Sequence, residues 1–461
     1  MVFSSLIFIF AYLTVTLAVY YISPLKWRNT VLFVVSLAFY GWGEPKYIAL
    51  MLVSIIIAYV FGFFIEKYRE SNRRLAKLFL TLSLLGNLSF LLFFKYYNFF
   101  ASNIGFDTIE GLTLPVGISF YTFQIMSYSI DLYRGEVPLA KKFIPFGTYV
   151  TLFPQLIAGP IVRYKDVCDQ LEGRKESFLK FSSGVNRFVT GLAKKLILGD
   201  SAAAVAELLE TGNGFEPTVI GTWMVMLCYT LHIYFDFSGY SDMAIGLGRM
   251  FGFEFVENFN YPYIAKSITD FWRRWHITLS TWFKEYVYIP LGGNRVSKLR
   301  AFLNLATVWF LTGFWHGADW NYLLWGIYFW LFLVIEKAFL GKLLSKIPAI
   351  AHIYTLIIVG FGWMIFFHTD LSVIASSAKH LIGIGAGFAS PAIAHELLRL
   401  LPFLIVASLA CTPYPKRVWD KLFERFPKLA IAKPILCMIL FLICTAYMVD
   451  NTFSPFLYYI F

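Results

Sequence analysis

Apolar runs separated by short polar links dominate the chain and predict its helices. In chain order they lie near residues 3–22, 30–43, 47–65, 78–100, 183–199, 218–235, 301–315, 322–335, 350–367, 372–388, 398–411 and 434–449. A helix needs about 20 apolar residues to cross a bilayer, and several of these runs approach that length. The pattern therefore predicts an all-α integral membrane protein with several crossings. No internal repeat or linker divides residues 1–461, so we expect one integral membrane domain.

Composition removes several alternatives. Of the 461 residues, 58% are hydrophobic and 15% are charged, whereas a soluble protein carries about 25% charged residues. The net charge of +11 comes from Lys and Arg clustered between apolar runs, where membrane orientation and lipid headgroups explain it better than nucleic acid does. The five cysteines have no metal-ligand spacing, and we expect no disulfide framework. Residues 1–22 lack a basic start and a cleavage site, so they are interpreted as a retained membrane helix.

The charges of the links predict which side each one faces. Lys26, Arg28 and the link 66–77 are basic, whereas the link 101–113 has two acidic residues and no basic one. Because basic links stay in the cytoplasm, this pattern places the N-terminus outside. Residues 200–216 carry four acidic residues and no basic one, and we expect them to form an outside loop.

Residues 261–300 form a strongly basic segment, with seven Lys or Arg against two acidic residues. This charge places the segment on the cytoplasmic side. Its tryptophans Trp272, Trp275 and Trp282 favour interfacial helices that lie along the membrane surface.

Residues 113–180 are apolar but broken by Pro115, Gly117, Pro154 and Gly159. Two successive segments there end on basic residues, which suggests a re-entrant or interrupted element. Such backbone is tolerated at membrane depth only where protein buries it or where it lines a cavity. Ordinary helices kinked at proline are the alternative.

Two histidines mark residues 270–326 as a candidate functional region. His276 lies in a charged, Trp-rich part, and His316 follows the apolar run 301–315. A helix from Arg300 to His316 would rise about 24 Å, which brings His316 inside or near the far edge of a hydrocarbon core about 30 Å thick. A titratable group at such depth is costly and marks a functional site by default. A polar cap bonded between helices is the alternative.

Two blocks of sequence resemble the membrane-bound O-acyltransferase (MBOAT) family, in particular its alginate O-acetyltransferase type. They are FWRRWHITLSTWFKEYVYIPLGGNR and, after it, FWHGADWNYLLWG. The resemblance is dense from about residue 110 to residue 330, so residues 1–100 and 341–461 are expected to be peripheral helices. It implies a ring of helices around a central tunnel, with His316 as the catalytic histidine and His276 as the second signature histidine.

The resemblance implies an O-acyltransferase of the bacterial cytoplasmic membrane. An acyl group, most simply acetyl, would pass from a cytoplasmic thioester such as acetyl-CoA to an extracellular polysaccharide such as alginate, with no permanently bound cofactor. A separate extracytoplasmic SGNH-type acetyltransferase is the implied partner, and no nucleic acid is involved. Two alternatives stay open: D-alanyl transfer to teichoic acid from a carrier protein, and a polysaccharide or lipid transporter that uses buried polar residues as a pathway.

Several further residues are candidates to support this chemistry. Trp315 and Trp320 are expected to wall the tunnel, and Asn321 or Tyr322 to polarise the thioester carbonyl. The residues expected to line the tunnel or bind substrate are Trp315, Asp319, Asn321, Tyr322, Asp236, Ser238, Arg273 and Arg274. The two arginines are expected at the cationic rim of a pocket for a phosphorylated donor, or are simply anchors for topology.

Residues 232–242 offer polar groups but no convincing metal site. His232 and Asp236 are four residues apart and share a helical face, yet no third ligand is convincing, so we predict no metal. A Ser-Gly break is expected after Asp236, with Ser241 as a cap of the next helix. Paired polar residues along a hydrophilic passage are the preferred interpretation.

The predicted orientation is testable by cysteine labelling in intact cells. A cysteine introduced at Ser71 or Ser297 should be protected from impermeant thiol reagents, because both positions lie in basic segments. A cysteine at Thr211 should react. Labelling in the opposite sense would reverse the topology and the side assigned to the donor.

Overall fold

The described parts of the chain, residues 1–212 and 216–450 of a computed structural model, consist of helices joined by irregular links. The helices of its first half are α1 (Ile7–Ile22), α2 (Arg28–Gly43), α3 (Ile48–Arg69), α4 (Arg73–Ile104), α5 (Ile118–Arg134), α6 (Phe143–Thr151), α7 (Phe153–Leu156), α8 (Tyr164–Gly173), α9 (Phe178–Ala193) and α10 (Asp200–Thr211). Those of the second half are α11 (Val219–Met250), α12 (Ile268–Trp272), α13 (Ile277–Phe283), α14 (Lys298–His316), α15 (Trp320–Ile335), α16 (Gly341–Leu344), α17 (Pro348–Phe367), α18 (Leu371–Leu381), α19 (Pro391–Ala410), α20 (Tyr414–Arg425) and α21 (Ala432–Asp450).

The lengths and apolar character of these helices confirm a multi-pass membrane protein. Within the described ranges, seven helical stretches are long and apolar enough to span a bilayer, and they are Pro45–Arg69, Arg73–Ile104, Val219–Met250, Trp320–Leu344, Pro348–Phe367, Pro391–Ala410 and Pro427–Asp450. The shorter helix α1 is also apolar. The four helices predicted for the first 100 residues are all present, and so is the hairpin predicted for residues 301–335.

Two elements that charge and hydropathy predict differ in the structure: a predicted loop is largely helical, and a predicted long helix is short. Residues 200–211 are helical, since α10 follows α9 through a π-helical turn, Lys194–Gly199, and its sequence is rich in the strong helix former Ala. Residues 213–215 of the predicted loop lie outside the described residues. The apolar run 372–388 forms only the 11-residue helix α18, which is too short to span a bilayer.

The expected break after Asp236 is also absent, because α11 is continuous from Val219 to Met250. Its glycines serve close packing instead. A Cβ on Gly239 would lie 2.7 Å from the carbonyl oxygen of Gly191 in α9, and a Cβ on Gly191 would lie 2.5 Å from that of Gly239. Small residues that let two helix backbones touch are typical of membrane helix pairs.

The interrupted element predicted for residues 113–180 is confirmed between α5 and α8. Helices α6 and α7 are short, and all residues from 146 to 162 are buried. Side chains pair the backbone where the helices break: Ser36 Oγ accepts from Phe153 N at 3.1 Å, and Thr278 Oγ1 accepts from Ile161 N at 2.9 Å. This pairing is what allows broken backbone inside a membrane.

The basic links converge on one side of the protein, called here the basic face. Arg28 pairs with Glu176 at 2.8 Å, and Arg163 pairs with Glu285 at 2.7 Å. Arg134 donates to the backbone carbonyl of Glu285 at 3.2 Å. Burial favours the neutral acid, but hydrogen bonds from Lys165 and Arg163 outweigh it and hold the pKa of Glu285 below its ordinary value.

The opposite side, called the far face, includes the link 101–113, which lacks basic charge, and the link between α2 and α3, in which Lys46 is balanced by Glu44. The Tyr47 hydroxyl, between α2 and α3, donates to Thr113 O at 3.0 Å, just before α5. The Trp320 indole, at the start of α15, donates to Asn103 Oδ1 at 3.2 Å, near the end of α4. Helix α14 therefore runs from the basic face toward the far face, and α15 returns.

Helices α12 and α13 form a re-entrant segment that starts and ends near the basic face. The Glu336 carboxylate, just after α15, accepts from Ile268 N at 2.6 Å and from Thr269 N at 3.0 Å. The expectation of interfacial tryptophans is wrong here, since Trp275 and Trp282 are only 2% and 3% exposed. The basic charges correctly indicated the side on which the segment begins and ends. The aromatic residues between those charges nevertheless pack into the protein interior.

Candidate active site

His316 is the last residue of α14 and is buried near the end of the α14–α15 hairpin. The hairpin is tight because Gly313 and Gly326 face each other: a Cβ on Gly313 would lie 2.3 Å from Tyr322 O. Aromatic rings enclose the imidazole, with the ring centroids of Trp325 and Phe366 at 5.1 and 5.2 Å and nearly perpendicular to it. The histidine is 4% exposed. The structure thus confirms a helix that ends at His316, and it buries this histidine in the protein.

His276 forms the turn between α12 and α13 and reaches the same region from the basic face. Its φ of +43° lies in the left-handed region, which is uncommon for a residue other than glycine. The backbone is fixed there by Ile277 N, which donates to Asn258 O at 3.0 Å. Such a conformation persists only when its surroundings impose it, and it often marks a functional site.

The Asn258 amide orients the imidazole of His276. Its Oδ1 lies 3.1 Å from His276 Nδ1 and also accepts from the Thr278 hydroxyl at 2.8 Å. Its Nδ2 donates to Gly159 O at 3.4 Å, which fixes the orientation of the amide. An amide oxygen only accepts hydrogen bonds, so His276 carries its proton on Nδ1 and presents Nε2 as an acceptor.

Trp315 joins the two histidines into one cluster. Its ring centroid lies 6.2 Å from that of His276 and 5.0 Å from that of His316. On its other side the indole packs against Phe120 and Phe123 at 5.4 and 5.5 Å. We call His276, Trp315 and His316 the histidine cluster.

Two adjoining cavities lead from the basic face toward the histidine cluster. The outer cavity, of about 840 Å³, lies between the re-entrant segment, the end of α15 and the start of α17. The inner cavity, of about 230 Å³, runs along α14 as far as Thr312 and is lined by His276. The residues common to both are Thr269, Arg273, Tyr288, Leu305 and Leu333. The two cavities therefore share a wall, and we call them together the route.

Charge is concentrated in the outer cavity. Lys266, Arg273 and Lys337 line it, together with Glu336, whose carboxylate is already committed to the start of α12. The walls of the inner cavity are mainly apolar, as the side chains Trp272, Leu279, Val308 and Trp309 illustrate. The route therefore changes from cationic to apolar as it approaches His276.

The two candidate arginines have different surroundings. Arg273 is exposed and lines both cavities. Arg274 instead pairs with Asp270 at 3.0 Å and donates to Asn260 O at 3.3 Å. Arg273 is thus the one of the pair that faces the route.

The candidates after His316 mostly hold the helix ends in place. Asp319 caps the start of α15 by accepting from Trp320 N at 2.6 Å. The Asn321 amide donates to the carbonyls of Ile365 and Phe366 at 3.2 and 2.9 Å, where α17 ends. Trp320 is 53% exposed on the far face, so the expectation that it walls a tunnel beside Trp315 is wrong.

Tyr322 fills the space beneath the turn that follows His316. Its ring packs against Phe366 at 5.1 Å, and a Cβ on Gly317 would lie 2.1 Å from this ring. The residue therefore belongs to the wall of the histidine cluster.

The two acidic candidates of α11 pair with basic residues of α9 and of the turn that follows it. Asp236 lies 3.2 Å from Lys195, which also pairs with Asp200 at 2.7 Å. Asp242 pairs with Lys194 at 2.7 Å and with Arg187. Ser238 is buried within the same helix. These pairs tie α11 to the turn between α9 and α10.

Sequence reasoning missed two residues that hold the cluster, Asn258 and Lys95. Lys95 Nζ donates to Trp315 O at 2.6 Å and to His316 O at 3.2 Å. The sequence does mark Lys95, because it is a lone lysine inside the apolar run 78–100. A charge at that depth needs a partner. Asn258 had no comparable signal, because a single asparagine in a polar link is unremarkable.

Comparison with known proteins identifies the class. Residues 79–378 match the MBOAT, membrane-bound O-acyltransferase family, and the chain belongs to that family. It is 42% identical to the probable alginate O-acetylase AlgI of Pseudomonas aeruginosa, over 81% of this chain and 73% of that protein. It is 35% identical to the peptidoglycan O-acetyltransferase of Helicobacter pylori, over 83% of this chain and 80% of that protein.

A more distant relative is the teichoic acid D-alanyltransferase of Bacillus subtilis, 31% identical over 46% of this chain and 56% of that protein. The chain is therefore a membrane-embedded O-acyltransferase, and its nearer relatives are those named for O-acetylation. This membership favours an enzyme over a transporter.

The role assigned to Asn258 can be tested with Asn258→Leu. The change removes the acceptor of His276 Nδ1 and Thr278, and a buried donor left without a partner costs about 1–3 kcal/mol. We expect a lower unfolding temperature and slower acyl transfer. The control is Asn103→Leu, which removes an exposed acceptor and should change stability by less than about 0.5 kcal/mol. A wild-type rate and wild-type stability in Asn258→Leu would contradict the role.

Proposed function

We propose that the chain transfers an acetyl group from a cytoplasmic thioester to a hydroxyl group of an extracellular polysaccharide, with His316 as the general base. The observation that carries this proposal is the position of the histidine cluster. Its member His276 lines the inner cavity, which runs along α14 as far as Thr312, about one turn before His316 at the end of that helix. A base at this depth can act on a donor from one side and an acceptor from the other.

The donor side of the proposal rests on the chemistry of the two cavities. Lys266, Arg273 and Lys337 in the outer cavity suit the phosphate groups of a donor such as acetyl-CoA. The apolar inner cavity suits the slender thioester arm, whose end would reach His276. The basic face is the cytoplasmic side by the positive-inside rule, which is where acyl thioesters are made.

The reaction needs one proton to move twice. The His316 imidazole takes the proton of the acceptor hydroxyl while the hydroxyl oxygen attacks the thioester carbonyl. The tetrahedral intermediate then collapses, the carbon–sulfur bond breaks, and the imidazolium returns the proton to the departing thiolate. The enclosing rings of Trp325 and Phe366 keep water from competing with the acceptor.

His276 is assigned to the donor. Asn258 accepts from Nδ1, so Nε2 is the acceptor nitrogen of the ring, and it would position the donor arm through an amide N–H close to the thioester. The acceptor hydroxyl would arrive from the far face, on the polysaccharide itself or through a separate SGNH-type acetyltransferase outside a bacterial cytoplasmic membrane. Alginate and peptidoglycan are the polymers in the names of the relatives. D-alanyl transfer from a carrier protein is the second candidate, favoured by the more distant relative.

The two histidines should differ in their effect on catalysis. His316→Ala removes the proposed base, and general-base catalysis contributes about 10²–10⁴-fold. We expect acyl transfer by the purified, folded protein to fall by that range, and His276→Ala to act mainly on the KM of the donor. The control is His395→Ala, an exposed position in α19, which should leave the rate unchanged. If folded His316→Ala acylates at the wild-type rate, the catalytic assignment is wrong.

The donor pocket can be tested with Arg273→Ala. Losing one charge-assisted contact to a phosphate should raise the KM of the donor by about 10-fold, with kcat nearly unchanged. Lys298→Ala is the matched control, because Lys298 is an exposed cation of the same basic segment and does not line either cavity of the described chain. If both changes raise the KM of the donor equally, Arg273 acts only as a general surface charge and not as part of a donor pocket.

A further inference from the structure

A lysine stands inside the membrane-spanning part of α4. Lys95 is flanked by apolar and aromatic residues and lies about two helical turns before the far-face end of the helix. A charged group at such depth is rare in membrane helices and is costly unless its partners satisfy it. The hydrogen-bond partners of Lys95 therefore indicate its role.

The three hydrogens of the Lys95 ammonium are matched by three acceptors. Nζ lies 2.6 Å from Trp315 O, 3.2 Å from His316 O and 3.3 Å from Ser119 Oγ. An ammonium group has three donors and no acceptor. Since these bonds account for all of them, the lysine acts on the protein and does not extend toward substrate.

The two carbonyls belong to the end of α14. The last four carbonyls of a helix have no partner within it, and inside a bilayer no water replaces one. The neighbouring Tyr96 hydroxyl donates to Phe314 O at 2.6 Å, and its ring stacks on the Phe314 ring at 3.9 Å. Residues 95 and 96 thus pair three consecutive carbonyls, 314 to 316, and place a positive charge where the helix dipole favours it.

We propose that Lys95 is a positioning residue for His316, which it holds through the backbone carbonyls of Trp315 and His316. The proposal rests on the proposed function, because it gives His316 the catalytic role. The ammonium fixes the peptide units on both sides of the histidine Cα, and so fixes where the imidazole meets the two substrates. A reacting group displaced by about 1 Å can lose about 100-fold in rate.

Substitutions at Lys95 separate positioning from simple stabilisation. Lys95→Met keeps the apolar stem and removes the three hydrogen bonds. We expect kcat to fall by about 100-fold, with the KM of the donor within about threefold of wild type, since the donor route lies on the other side of the cluster. Lys95→Arg retains the charge and the donors, so it should recover at least about 10-fold of that loss.

Two controls accompany the series. Lys77→Met makes the same change at an exposed position of the same helix and should leave kcat unchanged. Tyr96→Phe removes the uncharged partner of Phe314 O and should cost less than Lys95→Met. Adding Lys95→Met to His316→Ala should lower the residual rate no further, because both changes act on one base.

The outcomes distinguish this proposal from the proposed function. If His316→Ala keeps the wild-type rate, the proposed function fails and Lys95 has no base to position. If His316→Ala is slow and Lys95→Met keeps the wild-type kcat, the positioning proposal alone is overturned. It is also overturned if Lys95→Met loses folded protein or donor affinity together with kcat and Lys95→Arg restores none of them, because Lys95 is then only a helix cap.

Discussion

Every backbone polar group inside a bilayer must find a partner within the protein, and the architecture around the histidines depends on that constraint. Unbroken helices meet it by themselves, but a site built only from unbroken helices would have no turn at membrane depth on which to present a histidine. Here the helix ends and breaks are paired by side chains. Thr278 serves the interrupted stretch before α8, Asn321 serves the end of α17, and Lys95 serves the end of α14.

Aromatic packing encloses the two imidazoles of the site. One residue in five is aromatic, and Trp275, Trp325 and Trp363 are among the largest fully buried side chains of the described chain. Rigid rings fill space with few rotatable bonds, so they enclose the imidazoles without many alternative arrangements. The result is an aromatic, largely buried setting in which the few polar groups present interact strongly.

Much of this organisation could be predicted from the sequence, and the exceptions share a physical cause. The helices of the first 100 residues, the hairpin around His316 and the interrupted segment before α8 all follow from hydropathy and from Pro and Gly. Charge counts located the two ends of residues 261–300 on one side but carried no information about depth between them. His276 therefore proved to lie at the tip of a re-entrant segment, held by Asn258, a residue distant in sequence. Pairing between distant links leaves no periodic trace in a single sequence.

The hairpin α14–α15 also ties the two histidines together mechanically. It carries His316 near the far-face end of the pair, and Glu336 at its other end binds the first residues of the segment that carries His276. A tilt of the hairpin would therefore carry both imidazoles in the same direction and preserve their separation. Room for the proposed donor would then come from side chains along the walls of the route, such as Tyr288 and Leu333, while the hairpin keeps the two histidines at one spacing.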